Sequence, residues 1–152
     1  MSLMANTVNV ITTTSEEDCG RKGLTATAFC SLTANPPNVL ACINKSSATH
    51  EAIKRAGIFC VNVLSASQEA IAVNFATPNS SESRFAKGTW SSLVTGAPAL
   101  EQCVANLDCR TRGIVDAGTH SIFIGEAAAV RSDPTQTPLL YFNRLFCSMP
   151  DR

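Results

Sequence analysis

The sequence predicts a mainly β, antiparallel protein, folded as a closed or partly closed barrel with a few short helices. Short β-branched and apolar runs recur throughout the 152 residues, and only two or three stretches have the composition of a helix. The two kinds do not alternate regularly, as a parallel β-α-β sheet would require. No G-x-G-x-x-G follows any strand-like run, so a dinucleotide, if bound, is not held in the Rossmann manner.

Val8-Asn-Val-Ile-Thr-Thr-Thr14 reads as the first strand, and the polar stretch Ser15 to Lys22 turns the chain into a second strand as a hairpin. That second strand runs from Gly23 to Thr33. Its period of two puts Leu24, Ala26, Ala28, Cys30 and Leu32 on a core face and Thr25, Thr27, Phe29, Ser31 and Thr33 on a polar face. Asn35-Pro36-Pro37 forms a rigid corner, because proline donates nothing to a ladder and holds its predecessor extended; Val39 to Ile43 then resumes a buried strand.

Ala48 to Ala56 has helix composition, with Ser46 or Ser47 as N-cap and Gly57 as its stop. Ile58 to Leu64 is a strand, Ser67 to Ala76 a helix, Thr77 to Ser83 a loop, and Arg84 to Gly88 a short turn or helix leading to Trp90. Val104–Val115, His120–Arg131 and Leu139–Phe142 are three further strands, expected to form a meander. Met1-Ser2-Leu3 ahead of Met4 reads as an expression leader, and the whole of residues 1–152 as one domain.

Twelve basic and twelve acidic side chains leave no electrostatic footprint for nucleic acid or an anionic membrane. Apolar runs stop well short of the ~20 residues that span a bilayer, so a soluble, cytoplasmic protein is expected. Seven cysteines without a C-x-x-C pair, with Cys30, Cys42 and Cys60 inside apolar runs, point to buried reduced thiols and to no metal site.

Gly23 to Ser47 carries the functional signal. Small hydroxylated residues lie between strand-like runs, and the segment ends on Asn44-Lys45-Ser46-Ser47 at a helix start, a cradle suited to a flat, phosphorylated ligand. Read alone, Ser46 and Ser47 could equally do no more than cap the helix, with Lys45 solvated.

The same residues resemble the short-chain flavin reductase family, in the order G-x-T-A-T-A, S-x-T, N/D-P-P and C-x-N-x-x-S, with further matches at Phe59 to Leu64, Arg84-Phe85, Gly118-Thr-His120 and Leu139 to Arg144. Within it the chain is most similar to reductase components of two-component monooxygenases, such as those for 4-hydroxyphenylacetate and for pyrimidine ring degradation. The resemblance implies an FMN-binding split barrel acting as a homodimer. It further implies that NADH or NADPH reduces FMN or FAD, and that the reduced flavin passes transiently to a separate oxygenase.

Carried over by position, the resemblance implies that Thr25, Ala26 and Thr27 lie along the isoalloxazine and Ser31, Leu32 and Thr33 meet its polar edge. Asn44, Lys45, Ser46 and Ser47 would hold the ribityl chain and phosphate. Phe75, Arg84 and Phe85 would lie near the phosphate end or reach across the dimer. His120 would face the nicotinamide or the far side of the flavin as the one catalytic candidate, a lone His at a strand start being otherwise a structural hydrogen-bonder. Tyr141 and Arg144 would contact the nicotinamide nucleotide, or serve as a packed barrel residue and a solvated charge. Thr119 stands where the family often has Asp, Phe146 where it commonly has Tyr, and the usual N-terminal amphipathic helix is replaced by Met4 to Thr7. The competing readings are a non-catalytic flavin carrier or sensor, and a flavin-free structural relative.

Overall fold

The computed structural model describes residues 2–150; Met1 of the expected leader and the last two positions of the expected domain lie outside them. Its strands are β1 (Asn6–Thr7), β2 (Asn9–Thr14), β3 (Arg21–Ala26), β4 (Phe29–Ala34), β5 (Pro37–Asn44), β6 (Ile58–Val63), β7 (Trp90–Ser92), β8 (Pro98–Leu100), β9 (Ala105–Ala117), β10 (His120–Ser132), β11 (Leu139–Phe142) and β12 (Leu145–Ser148). Three α-helices, α1 (Ala48–Ala56), α2 (Glu69–Ala76) and α3 (Ser81–Phe85), complete it, with one 3₁₀ turn at Ala66–Gln68 leading into α2. Seven strands form one sheet in the order β3-β2-β6-β9-β10-β5-β4, and every pairing is antiparallel.

The mainly β, antiparallel expectation holds, as do the β2–β3 and β4–β5 hairpins. Several details are corrected. The run from Gly23 to Thr33 is not one strand: it breaks at Thr27-Ala28, where the Phe29 amide donates to the Thr27 carbonyl (3.0 Å) and the Cys42 amide to the Ala28 carbonyl (2.9 Å). Its halves pair with different partners, β3 with β2 and β4 with β5, and so occupy opposite ends of the seven-strand order. The break also changes the faces. Phe29 packs against the core with Leu24 and Ala26, whereas Cys30 and Leu32, expected inside, are exposed on the edge strand.

The expected meander ends at β10. Strand β11 leaves the large sheet and pairs with β1 and with β12, across a tight turn in which Asn143 and Arg144 take positive φ. Among the described residues no ladder joins β3 to β4, so the large sheet retains two free edges instead of closing by hydrogen bonds. The thiols divide as well: Cys60, Cys103 and Cys109 are buried, Cys42 is intermediate and Cys30 exposed, all free. Burial pushes the Cys103 and Cys109 thiols up to about 12 and raises that of Cys60, which keeps them protonated and inert.

Strand β2 explains how the core is organised. Val10 and, just before the strand, Val8 join a cluster with Leu64, Ala72, Phe75, Phe85, Leu100 and Leu139, while Ile11 joins a second with Val39, Ala41, Ile43, Ile53, Phe59, Val61 and Phe123. The strand is therefore covered on both faces, by α2 and the small sheet on one side and by α1 and the curl of the large sheet on the other. Between the clusters, Asn62 satisfies its burial by donating to the Val10 carbonyl and Thr12 Oγ1 and by accepting from the Leu100 amide and Asn106.

Candidate functional site

Helix α1 begins as its residues dictate. Ser47 takes an extended backbone and its Oγ accepts from the Thr49 amide at 3.1 Å; Gly57 ends the helix at φ 67°, where its amide bonds the Ile53 carbonyl. Just upstream, Asn44 Oδ1 accepts from both the amide and the Oγ of Ser46, each at 2.9 Å, which folds the chain so that both hydroxyls sit at the positive end of the helix. Lys45 is anchored through its amide to the Thr119 carbonyl and through Nζ to Asp116 at 2.9 Å. That ammonium, as a hydrogen-bond and charge partner, holds the Asp116 carboxyl below its ordinary range.

Opposite the start of α1 stand β3 and the α2–α3 connection. Thr25 Oγ1 donates to the Ala72 carbonyl at 2.6 Å, tying β3 to α2. Asn74 donates to the Ser83 and Arg84 carbonyls, and Asn79 donates back to Asn74, so the turn between the two helices is pinned from inside. Arg84 Nη1 and Nη2 donate to the Gly23 and Thr77 carbonyls, each at 2.8 Å. Its Nε is buried without a partner, and among the described residues no carboxylate pairs with the guanidinium. Burial lowers its proton affinity, yet an arginine stays charged at any working pH.

Between these walls lies a cavity of about 1050 Å³, lined among others by Lys22, Leu24, Thr25, Ser46, Ser47, Phe75, Asn79 and Arg84. Gly23 makes room for its floor. A Cβ there would sit 2.8 Å from Phe75 Cε1 and 3.1 Å from Thr12 Cγ2, so only glycine lets Phe75 lie on β3. Behind Phe75, Phe85 packs edge-on at 5.1 Å, Trp90 closes on Phe85 at 4.8 Å, and the Arg21 guanidinium lies 4.6 Å over the Phe85 ring.

Of the residues singled out in the sequence, Thr25, Ser46, Ser47, Phe75 and Arg84 line this cavity together. Asn44 and Lys45 do not line it: Asn44 Oδ1 is spent on Ser46, and the Lys45 ammonium pairs with Asp116. Ala26 packs into the core beside it, half-buried Thr27 sits at the strand break, and Phe85 is buried under Phe75. Ser31, Leu32 and Thr33 lie on exposed β4, where Thr33 Oγ1 donates to the Pro36 carbonyl at 2.6 Å and braces the corner. His120 pairs across the ladder with Asn44, its Nδ1 2.9 Å from Thr119 Oγ1. Tyr141 stacks edge-on against Phe146 in the small sheet, and Arg144 stands at the tip of that hairpin. Sequence reasoning missed Asp18, Cys19 and Asn79, which come from turns, and Lys22 on β3; Asn74, a polar residue inside the apolar run of α2, was the visible signal for the pinned connection.

A family model described as the flavin reductase like domain matches residues 1–150. The chain belongs to the flavin reductase-like family. An FMN reductase (NADH) of Agrobacterium fabrum is 38% identical over 146 residues, 96% of this chain and 83% of its own. Among solved structures, a protein described as a flavin reductase from Haemophilus somnus superposes with a TM-score of 0.95 at 36% identity, covering 98% of this chain and 94% of the other. The NADH:FAD oxidoreductase of Streptomyces globisporus in complex with NAD and FAD fragments gives a TM-score of 0.91 at 29% identity over 98% and 88%. The flavin reductase component of a bacterial two-component tryptophan halogenase gives 0.90 at 30% over 99% and 94%. The cavity thus belongs to a flavin reductase-like domain, and its Ser46-Ser47 corner shares it with the α2–α3 connection.

Proposed function

We propose that this chain is an NADH-dependent flavin reductase that binds the flavin in the cavity between β3, the start of α1 and the α2–α3 connection. The observation that carries this is that Ser46, Ser47, the N-terminus of α1 and the unpaired charge of Arg84 line one cavity. Two hydroxyls, helix amides and a guanidinium are the donor set of a phosphate monoester. Leu24, Thr25 and Phe75 line the same cavity and offer a largely apolar wall suited to a tricyclic ring.

A bound flavin supplies the redox chemistry, taking two electrons as a hydride from a reduced nicotinamide. The residues supply position. Gly23 and Phe75 set the depth of the ring, the Thr25 hydroxyl is committed to α2 and keeps that wall still, and the buried guanidinium fixes the phosphate end. No side chain in the cavity need donate or accept a proton for hydride transfer, which agrees with the position of His120 on the ladder beside Asn44.

The same reading includes a homodimer and a split barrel. Leu40, Cys42, Ile122, Ile124 and Val115 share the outward face of β5, β10 and β9, an apolar surface that a second copy would cover. Thr27 and Ala28 alone carry the chain from one end of the seven-strand order to the other, a reach of about 11 Å, so the two free edges lie close and the sheet curls toward closure. The reading extends to release of reduced flavin to a separate oxygenase component, in the cytoplasm; the likeness to the reductase component of a two-component system supports the transfer. The experiment is flavin-dependent oxidation of NADH and NADPH by the purified chain, followed by absorbance. NADH consumption with FMN or FAD is expected, and no consumption with any flavin contradicts the proposal.

A further inference from the structure

Lys45 stands two positions before Ser47, yet its ammonium points away from the cavity that Ser47 lines. Three contacts hold the residue at the β9–β10 turn instead. Its amide donates to the Thr119 carbonyl at 3.0 Å, its neighbour Asn44 pairs with His120 across the β5–β10 ladder, and its Nζ lies 2.9 Å from Asp116 Oδ1. Asp116 is fixed in its turn, because it pairs with Ser121 across the β9–β10 ladder, close to the two-residue turn in which Gly118 takes φ 61°. Ser121 is buried and its Oγ lies 2.9 Å from His50 Nε2 on α1. The hairpin therefore grips the chain on both sides of Ser46-Ser47, before it at Lys45 and after it at His50.

We propose, resting on the flavin reading above, that Asp116 is a positioning residue acting through Lys45: it keeps this ammonium off the flavin phosphate and so sets how loosely FMN is held. The other cations of the cavity are unequal. Lys22 is paired with Asp18, which leaves Arg84 as the free charge of the phosphate end. Lys45 would be a second, since an ammonium on a flexible four-carbon stem two residues from Ser47 is drawn to a phosphate there. Among the described residues its one ion pair is with Asp116, whose side chain is 82% exposed. A pair so exposed is weak, so its effect on the flavin is modest and confined to the phosphate. A loose grip serves a reductase whose flavin enters and leaves as a substrate.

The test is fluorescence titration of the full chain with FMN and with riboflavin, which lacks the phosphate. In Asp116→Asn, a change at an exposed position that spares the fold, the FMN Kd falls about threefold, within the range of an exposed ion pair, and the riboflavin Kd stays as it is. Lys45→Gln leaves the FMN Kd at its native value, and the double variant Lys45→Gln/Asp116→Asn returns to that value. In steady-state assays of Asp116→Asn the KM for FMN falls by the same factor while the KM for NADH does not move. An unchanged or weaker FMN Kd in Asp116→Asn overturns the proposal, as does a several-fold weaker one in Lys45→Gln or a gain that survives in the double variant. A native chain that binds FMN no more tightly than riboflavin would instead remove the phosphate from the Ser46-Ser47 corner, and one that binds neither would remove the flavin reading of the cavity.

Discussion

The two halves of the segment from Gly23 to Ala34 each contain a Leu-Thr-Ala run, Leu24 to Ala26 and Leu32 to Ala34, and have opposite fates. Strand β3 is held on one side by β2, against its face by α2 through Thr25, and at Gly23 by Arg84. Strand β4 has one neighbour, β5, and its residues from Cys30 to Ala34 are exposed. A threonine in a strand is therefore not a site residue by type; what matters is whether its strand faces the cavity that Ser46, Ser47 and Arg84 also line. The difference teaches that the site is built where three elements converge, and that the open edge contributes a surface.

The largest expected effect comes from Gly23→Ala. The new methyl displaces Phe75 and strains the Arg84 contact, costing about 1–3 kcal/mol of stability and weakening flavin binding; chemical denaturation and flavin titration read the two losses. A matching change on the other half, Leu32→Ala, removes a side chain already 47% exposed and is expected to stay within about 0.5 kcal/mol. A comparable loss from both would erase the contrast.

Next is Arg84→Ala. Loss of a charged donor is worth about 1.5–3 kcal/mol, so FMN binding should weaken tenfold or more, and riboflavin, which lacks the phosphate, much less. Ser47→Ala removes the N-cap of α1 and should cost about 1 kcal/mol of stability, seen as a lower urea midpoint at unchanged slope. Thr33→Ala, on the exposed half, should leave flavin affinity as it is.

A smaller effect concerns how α1 is seated. His50 is buried, its Nε2 lies 2.9 Å from Ser121 Oγ on β10, and its ring meets Phe123 edge-on at 5.1 Å. Burial, followed by the charge of Lys54, pushes its pKa below the ordinary histidine value. The folded state then binds fewer protons than the unfolded chain just below pH ~6.5. The stabilisation is thus complete above that pH and is lost as pH falls toward the lowered folded value. Thermal melts from pH 7 to 5 should fall more steeply for the native chain than for His50→Gln, and equal slopes would place the titration elsewhere.

How much of this was legible follows from where the information lies. Helix α1 was readable because its signals are local: a serine cap, a glycine stop and a helical composition between them. The Asn35-Pro36-Pro37 corner was readable for the same reason. The break at Thr27-Ala28 was not, since both residues are acceptable in a strand and the break is set by the distant partners β2 and β5. Strand β12 was missed because its turn uses Asn143 and Arg144 at positive φ, where glycine would have marked it. The corner proposed for the phosphate was visible as Asn44-Lys45-Ser46-Ser47, of which Ser46 and Ser47 line the cavity, and Arg84 as part of a motif. The opposing wall at Asp18, Cys19 and Asn79 arises from turns, and at Lys22 from the start of β3, segments that only the fold brings together.

The claim that the Ser46-Ser47 corner holds the flavin phosphate is tested most directly by Ser47→Asp. Aspartate caps a helix as well as serine does, so α1 keeps its N-terminus while a negative charge enters the phosphate end. The account predicts that FMN affinity, measured by fluorescence titration, falls at least tenfold while riboflavin affinity changes less than twofold. Equal losses for FMN and riboflavin, or none for either, would contradict it.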